Sequence, residues 1–307
     1  MAKFLKKILF FFALIAIIDI VSGFGFDYLR SHAKGGDTQK NYYVSEKCCD
    51  DCLILGSSRA ARHYDPLILE DSLGMSCYNC GEPGCGIITA YARYGLIEQR
   101  HNPKLVIYEV TPNYDYYKTD EYSKYLGKMR PYADKRVISE LFSKTGDELE
   151  FLRIRSNLYK NNSFIIDYLK DILIGKVKTC GYEPLFGSLN TDAIRKLPPP
   201  LEEYTIDELK LSYVEKFIQK LSGENVKLVF VASPQCLSVM EAEKESLNYN
   251  IIIDLCKQYN VPFINNIYMK GVSGNRKLFC DFSHLNREGA ELYTKKLISD
   301  LKRIIIE

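Results

Sequence analysis

The chain has 307 residues, of which 46% are hydrophobic and 26% are charged. This composition is typical of a globular protein with one substantial core, or with a core domain and an insertion. A net charge of only +2 gives no electrostatic support for a nucleic-acid partner, so we exclude that class of function. Any histidine-dependent chemistry must use one of four residues: His32, His63, His101 or His284.

The first thirty residues contain a candidate membrane anchor. Residues 8–26 form an apolar run in which Asp19 is the one charged residue. At about 1.5 Å per residue, this run just crosses the hydrocarbon core of a bilayer. Three basic residues precede the run and predict that the N-terminus stays in the cytoplasm: Lys3, Lys6 and Lys7. A cleaved signal peptide and a buried helix of a soluble protein are the alternatives.

These features predict an order of segments along the chain. Residues 1–32 are the anchor, and residues 33–50, which are mostly polar and contain Gly35 and Gly36, are a stalk. Residues 51–307 form the main domain, which we expect on the extracytoplasmic side of the membrane.

Ten cysteines follow the anchor segment. Their spacing is not that of a disulfide scaffold. Cys49 with Cys52 and Cys77 with Cys80 have the spacing of zinc ligands. However, three of these four residues lie in or beside apolar strand patterns, where cysteine packs as a small hydrophobic residue. We therefore predict mostly free thiols and no metal or organic cofactor.

The main domain alternates short apolar runs with longer amphipathic stretches, which predicts a parallel sheet covered by helices on both faces. Five strands are predicted, at residues 52–55, 75–79, 104–110, 227–232 and 262–264. Helices are predicted at residues 66–73, 87–99, 206–221, 241–259 and 287–304. The expected fold is a three-layer α/β/α sandwich of the flavodoxin-like type.

Residues 114–200 interrupt this alternation and are too many for a loop in a compact domain. They contain helical patterns at residues 137–142 and 164–173 and end in a run of three prolines. We predict an inserted helical cap. Because it follows the third strand, we expect it over the carboxyl edge of the sheet, where open α/β sheets bind ligands.

Gly56, Ser57 and Ser58 follow the first predicted strand. This order places the Ser58 hydroxyl at the carboxyl edge of the sheet, where the next helix begins. The backbone N–H groups of such a helix start can stabilise an oxyanion. A serine that only caps the helix is the structural alternative.

Asp281 and His284 lie on a loop just before the last predicted helix. An aspartate three residues before a histidine can direct both side chains to one point. The histidine can then act as a general base toward a serine, and the aspartate can orient the imidazole. In the structural alternative, Asp281 or Asn286 only caps the helix.

Together these motifs resemble the conserved blocks of the SGNH (GDSL-like) hydrolases. Residues 56–58 resemble the first block and residues 281–286 the last. Residues 78–85 resemble the second block, and Asn113 ends the third strand, where the family carries an asparagine. The chain has Gly-Ser-Ser in place of the family's Gly-Asp-Ser. This variant is similar to the membrane-anchored branch that includes the D-alanyl lipoteichoic acid transfer protein and the alginate O-acetylation proteins.

The resemblance implies roles for five residues. Ser58 is the nucleophile, with Asp281 and His284 as its acid–base partners. The N–H of Gly84 and the side-chain amide of Asn113 are the oxyanion donors, and Gly81 or Gly86 could replace Gly84. The expected function is that of an extracytoplasmic serine esterase or O-acyltransferase acting on acyl groups of a surface glycan or similar polymer. The alternative is a catalytically inactive scaffold that assists a membrane-bound O-acyltransferase.

Two further groups are candidate substrate contacts. Arg59, Arg62 and His63 follow Ser58 and could bind an anionic group, although a solvated helix face also explains them. Residues 113–132 are rich in tyrosine, beginning with Tyr114, and such rings suit sugar faces or a partner surface. Ordinary packing of the cap is the alternative.

Overall fold

A computed structural model describes residues 1–118, 126–145, 148–173, 179–195 and 204–306. The chain forms two compact units. The first, which we call the anchor unit, comprises Met1–Lys47 and Tyr122–Lys178. The second, the sheet unit, comprises Cys48–Glu121 and Thr179–Glu307.

The sheet unit is built on five parallel strands: β1 Cys52–Gly56, β2 Cys77–Asn79, β3 Leu105–Glu109, β4 Lys227–Ala232 and β5 Phe263–Asn265. Their spatial order is β2-β1-β3-β4-β5, and every neighbouring pair is parallel. The strands are short and almost wholly apolar, as expected for a sheet covered on both faces. The predicted α/β fold with about five parallel strands is therefore confirmed.

The α-helices of the two units follow in chain order. They are α1 Ala2–Ser31, α2 Gly36–Glu46, α3 Ser58–His63, α4 Pro66–Leu73, α5 Ile87–Ile97, α6 Pro112–Asp115, α7 Arg136–Thr145, α8 Glu148–Arg153, α9 Asn157–Asn161, α10 Ile165–Leu173, α11 Glu208–Gly223, α12 Val239–Ser246, α13 Asn250–Tyr259 and α14 Arg287–Ile306. Short 3₁₀ turns occur at Gly127–Tyr132, Asn162–Phe164, Leu247–Tyr249 and Arg276–Leu278.

Alternating strand residues divide the core of the sheet unit into two layers. Ile54, Ile107 and Val229 lie on one face and pack with residues of α3, α4 and α14. Tyr108 lies on the opposite face, where its ring contacts Phe217 of α11. This period of two is what places helices on both faces of the sheet.

The anchor unit consists of α1, α2 and α7–α10. Helix α1 is long and apolar enough to cross a membrane by length and composition. Residues 36–46, inside the expected stalk, form α2, which buries Thr38, Asn41 and Val44. This part of the chain is thus a helix with a packed face. The predicted domain limits, 1–32, 33–50 and 51–307 with a cap at 114–200, stay a prediction.

The structure differs from the predicted elements at several ends. The predicted helix over residues 241–259 is two helices, α12 and α13, separated by a 3₁₀ turn. Ile206, the predicted start of α11, instead forms an antiparallel bridge with Tyr117. The helix begins two residues later because the Asp207 carboxylate accepts a hydrogen bond from the Lys210 N–H at 3.1 Å. Part of the tyrosine-rich stretch (119–125) and the proline run (198–200) lie outside the described residues.

All ten cysteines carry free thiols, and seven of them are buried. Of the four with zinc-ligand spacing, Cys52, Cys77 and Cys80 are buried and Cys49 is exposed. Within the described ranges, no group of three or more His, Cys, Asp and Glu side chains is placed to hold a metal ion.

The residue that ends β1 must be a glycine, and this can be tested by substitution. Gly56 has a φ of +131°, and a Cβ there would lie 2.5 Å from the Glu109 carbonyl oxygen on β3. Gly74, the C-cap of α4, also has a positive φ (+68°), but a Cβ there would meet no atom within 4 Å. Gly74→Ala should therefore cost only the left-handed backbone penalty of roughly 1–2 kcal/mol.

Gly56→Ala adds a backbone clash to that penalty and should be destabilised by about 1–3 kcal/mol more. Thermal melting of the two variants beside the wild type measures the difference. Equal losses for Gly56→Ala and Gly74→Ala would contradict the close approach of β1 and β3.

Candidate active site

Ser58 lies at the carboxyl end of the sheet, as the first residue of α3 directly after β1. Its side chain is partly exposed. Ser57, one residue earlier, is only 1% exposed, and its Oγ has no hydrogen-bond partner among the described atoms. Of the two serines after Gly56, Ser58 is therefore the one that a substrate can reach.

The loop before α14 presents Asp281 and His284. The Asp281 carboxylate accepts hydrogen bonds from the backbone N–H groups of Ser283, at 2.7 Å, and His284, at 2.8 Å. The loop is closed at its base, where the Cys280 N–H donates to the His284 carbonyl at 2.9 Å. The backbone thus holds both side chains in place before any substrate is bound.

The three side chains form a continuous hydrogen-bonded chain. His284 Nδ1 lies 2.8 Å from Asp281 Oδ2, and His284 Nε2 lies 2.8 Å from Ser58 Oγ. An ionised carboxylate can only accept, so Nδ1 carries the proton and donates it to Asp281. The Nε2 lone pair of His284 then faces the Ser58 hydroxyl, in the arrangement that a general base needs.

The charge of Asp281 follows from its surroundings. Partial burial alone would raise the pKa of this carboxyl. Its hydrogen bond with the His284 ring and the two backbone N–H donors outweigh that effect and lower the pKa of Asp281 below its ordinary value. Asp281 is therefore an anion at neutral pH, which keeps His284 in the tautomer described above.

Ser58, Asp281 and His284 open onto a cleft of about 580 Å³ in the sheet unit. The predicted residues Arg59, Asn113 and Tyr114 also line this cleft, whereas Gly84 does not. Its other lining residues were not predicted from the sequence: Thr111, Pro112, Ile194, Arg195, Tyr204, Gln235, Glu245, Asn248, Tyr249, Phe282 and Ser283.

The three candidate glycines of the second block differ in their surroundings. The Gly81 N–H donates to Asn79 Oδ1 at 3.0 Å. Gly84 has open space around it, and Gly86 packs against the Tyr114 carbonyl oxygen. None of the three lines the cleft, so the assignment of a backbone oxyanion donor to Gly84 stays a prediction.

Arg59 reaches the cleft wall but is 5% exposed, and its guanidinium is already occupied. Its Nε lies 3.0 Å from Glu109 Oε1, and its Nη2 donates to the Tyr249 hydroxyl at 2.9 Å. Nη2 also donates to the carbonyl oxygen of Val110. A guanidinium held in this way supports the cleft wall, and its predicted role in binding substrate stays a prediction.

Glu109, at the end of β3, is fully buried and gathers hydrogen bonds from three elements. Besides Arg59, it accepts hydrogen bonds from the Tyr64 hydroxyl and from Ser233, whose Oγ lies at 2.8 Å. Burial raises the pKa of Glu109, while the Arg59 cation and these hydrogen bonds oppose the rise. The carboxylate therefore ties the ends of β1, β3 and β4 together.

His63 extends this buried network to the loop that carries His284. The Leu285 N–H donates to His63 Nε2 at 3.0 Å, so Nδ1 carries the proton and donates to Ser233 Oγ at 2.8 Å. His63 is 0% exposed, contrary to the solvated helix face that its sequence position suggested. A histidine at the end of α3, five residues after Ser58, was the sequence signal available for this role.

The buried position of His63 predicts a pH dependence of stability. Burial, followed by the nearby charges of His284 and Arg59, lowers the pKa of His63 well below its ordinary value. As the pH falls below about 6.5, His63 becomes protonated in the unfolded chain but stays neutral in the folded protein, so acid favours unfolding. The contribution of His63 should lower the free energy of unfolding by up to about 1.4 kcal/mol for each pH unit below that value.

His63→Gln should flatten the fall in melting temperature between pH 7.5 and 5, because it removes this titration while keeping a donor and an acceptor. The control is His101→Gln, which removes a partly exposed histidine on the loop before β3 and should keep most of the wild-type dependence. A His63→Gln profile that overlays the wild type would show that His63 binds its proton equally well in the folded and unfolded chain, which would contradict this prediction.

Comparison with known proteins finds matches among solved structures. No known family model matches the chain, and no curated protein matches it. One similar structure is a protein described as lipolytic and of the G-D-S-L family, from Desulfitobacterium hafniense DCB-2. It is 10% identical, with a TM-score of 0.39, over 81% of this chain and 98% of the other.

TesA is 12% identical over 82% of this chain and 98% of its own, with a TM-score of 0.44. The acetyl xylan esterase AlAXEase is 16% identical over 81% of this chain and 98% of its own, with a TM-score of 0.40. TM-scores below 0.5 are too low to transfer an activity to this chain.

Proposed function

We propose that the protein is a serine esterase or O-acyltransferase in which Ser58, His284 and Asp281 act as a catalytic triad. The observation that carries this proposal is the 2.8 Å separation of His284 Nε2 and Ser58 Oγ, with Asp281 on the opposite ring nitrogen. This arrangement of nucleophile, base and orienting carboxylate is recognised by geometry whatever the fold that holds it.

The reaction follows from the positions of the three groups. As Ser58 Oγ attacks the acyl carbonyl carbon, its proton passes to His284 Nε2, and Asp281 stabilises the imidazolium that forms. The tetrahedral intermediate collapses when the carbonyl bond re-forms, and His284 gives the proton to the departing alcohol oxygen. The acyl-enzyme then passes its acyl group to water or to a sugar hydroxyl, with His284 again taking and returning the proton.

Charge on the acyl oxygen must be stabilised while the intermediate lasts. Asn113 lines the same cleft as Ser58 and supplies a side-chain amide, so we assign it as an oxyanion donor. Gly84 is proposed as the backbone donor on the family resemblance alone. A single well-placed donor of this kind contributes roughly 10²–10³ in kcat.

The lining of the cleft favours a polar substrate with a short acyl group. Among the described lining residues, phenol, amide and guanidinium groups are frequent, and Ile194 is the one large aliphatic side chain. Tyrosine rings offer flat faces to sugars, and one of them, Tyr204, is stacked on the Tyr117 ring at 4.8 Å. We therefore propose an acylated surface glycan or similar polymer as the substrate class.

The location proposed for this reaction is the extracytoplasmic side of a membrane. Helix α1 supplies the anchor, and its basic N-terminal flank supports an orientation with the rest of the chain outside. A membrane-bound O-acyltransferase is the partner that we propose, since it would deliver acyl groups beside the anchored domain.

The triad proposal predicts strongly non-additive mutants. Ser58→Ala and His284→Ala should each lower kcat by roughly 10⁴-fold or more, and the double mutant should be hardly worse than either. Asp281→Asn should lose somewhat less, roughly 10³–10⁴-fold, because it disturbs the tautomer and not the attacking atom. Hydrolysis of short-chain acyl esters and labelling by a fluorophosphonate probe measure both effects.

Ser57→Ala is the matched control because Ser57 is buried beside Ser58, and it should keep both labelling and activity. Labelling that is lost in Ser57→Ala but kept in Ser58→Ala would show that Ser57, and not Ser58, is the nucleophile. If the single variants Ser58→Ala and His284→Ala both keep full biological function, the protein is better explained as an inactive scaffold that assists an acyltransferase.

The orientation predicts which side a protease can reach. Protease added to intact spheroplasts should digest the sheet unit, since the basic flank of α1 keeps only the N-terminus inside. A cytoplasmic protein of the same cells serves as the control for intact membranes. A sheet unit that is protected until the membrane is broken would reverse the orientation and remove the surface glycan from the proposal.

A further inference from the structure

One side of α1 is packed against the rest of the anchor unit. Gly23, Phe26 and Arg30 are its buried residues, and Asp19 lies one turn before them on the same face. A Cβ at Gly23 would lie 2.9 Å from the Asn157 side chain, so glycine allows α1 and α9 to approach closely. Phe26 meets the Tyr168 ring of α10 at 6.4 Å. The second half of α1 is thus docked on α9 and α10.

Asp19 joins α1 to the start of α9. Its carboxylate accepts hydrogen bonds from the Ser156 hydroxyl at 2.6 Å and from the backbone N–H groups of Asn157 and Leu158 at 3.0 and 2.9 Å. A carboxylate in the middle of an apolar helix is costly in lipid unless its acceptor capacity is satisfied. Here the open N–H groups of a helix start satisfy it.

At the depth of Asp19, α1 must therefore contact both α9 and the surrounding lipid. Residues 2–18 of α1 precede Asp19 and span roughly 26 Å at 1.5 Å per residue, close to the thickness of the hydrocarbon core. Lys3, Lys6 and Lys7 lie at the N-terminal end of this span, where their long side chains reach the headgroups. Beyond Asp19, the outward sides of α1 remain apolar and exposed: Ile20, Val21 and Phe24 are 56%, 62% and 72% exposed.

Helices α8 and α9 add three further exposed leucines to the anchor unit. Leu149 and Leu152 of α8 and Leu158 of α9 are exposed, and Leu158 is the residue whose N–H donates to Asp19. Arg153 and Arg155 lie between these leucines and are exposed as well. Leucines flanked by arginines are typical of segments that lie in the interface of an anionic bilayer.

We propose that these five residues, which we call the lipid-facing surface, rest on the bilayer that α1 crosses. The leucines enter the boundary between headgroups and acyl chains, and the two arginines contact anionic headgroups. The lipid is favoured as the occupant because Leu158, one of the five, is hydrogen-bonded through its N–H to Asp19 and so lies beside the exposed apolar sides of α1. The proposal rests on the proposed anchoring by α1 and adds a fixed depth and a second point of contact for the anchor unit.

The chain contains no tryptophan, so a single introduced one reports on its own surroundings. The full chain is reconstituted in nanodiscs of anionic lipid, with and without phosphatidylcholine brominated on its acyl chains. Leu152→Trp and Leu158→Trp place the probe on the lipid-facing surface. Phe10→Trp, in the apolar run of α1, tests the anchor itself.

Leu173→Trp is the matched control because Leu173 is an exposed leucine of the same unit, at the far end of α10. The Lys34 N–H donates to the Asp171 carbonyl at 2.9 Å, so this end of α10 lies level with residue 34. Helix α1 ends at Ser31, roughly 18 Å beyond Asp19 at 1.5 Å per residue, so Leu173 lies near the end of α1 that is farthest from the apolar run.

Brominated lipid should remove about half or more of the tryptophan emission of Phe10→Trp, Leu152→Trp and Leu158→Trp, because interfacial apolar faces enter the acyl boundary. It should remove little of the emission of Leu173→Trp. Quenching of Phe10→Trp without quenching at positions 152 and 158 would overturn the lipid-facing surface and leave the anchor intact. Failure to quench Phe10→Trp would overturn the anchor and this proposal together. Equal quenching of Leu173→Trp and Leu158→Trp would overturn the fixed depth.

Discussion

The carboxyl end of the sheet depends on one buried anion, the Glu109 carboxylate. It receives Arg59 from α3, the Tyr64 hydroxyl from the residue after α3, and both the N–H and the hydroxyl of Ser233 after β4. A buried carboxylate without such partners would cost several kcal/mol. Because every partner comes from a segment next to the cleft, satisfying Glu109 also sets the positions of those segments.

The same network reaches the loop that carries His284 through His63. Ser233 orients the His63 ring, and the unprotonated nitrogen of that ring holds the backbone of Leu285, the residue after His284. The His63 and His284 rings lie 6.2 Å apart. In the proposed reaction His284 becomes an imidazolium, and a second charged imidazole at this distance would oppose that change. Burial keeps His63 neutral, so it can support the loop without repelling the charge that forms.

The sequence predicted the parts of the site that local spacing determines. Asp281 and His284 are three residues apart on one loop, and Ser58 follows a strand of five buried residues, so their proximity could be predicted from local sequence patterns. The strands were also predictable, because they are short apolar runs separated by helical periods. Helix α2 was missed because polar residues such as Thr38, Asn41 and Ser45 form much of its buried side, which leaves no apolar stripe.

Glu109 and Ser233 could not be predicted, since a polar residue at the end of a strand looks the same whether it faces solvent or a buried partner. Their roles arise from pairing across strands that are more than a hundred residues apart in sequence. Long-range satisfaction of a buried charge leaves no local pattern. The register of β3 on β4 opposes Glu109 to Val231, two residues before Ser233, and thereby brings the two together.

The occupied state of Arg59 bears on which acyl groups the cleft can select. Its charge is offset by Glu109, so the remaining charged side chains among the described lining residues are Arg195, Glu245 and Asp281. Arg195 lies 3.7 Å from Glu245, and these two offset each other. Asp281 is then left as a negative charge, shared with His284. The described part of the lining therefore offers no free cation to an anionic acyl group, which is consistent with a neutral or cationic acyl group on the polymer that we propose as substrate.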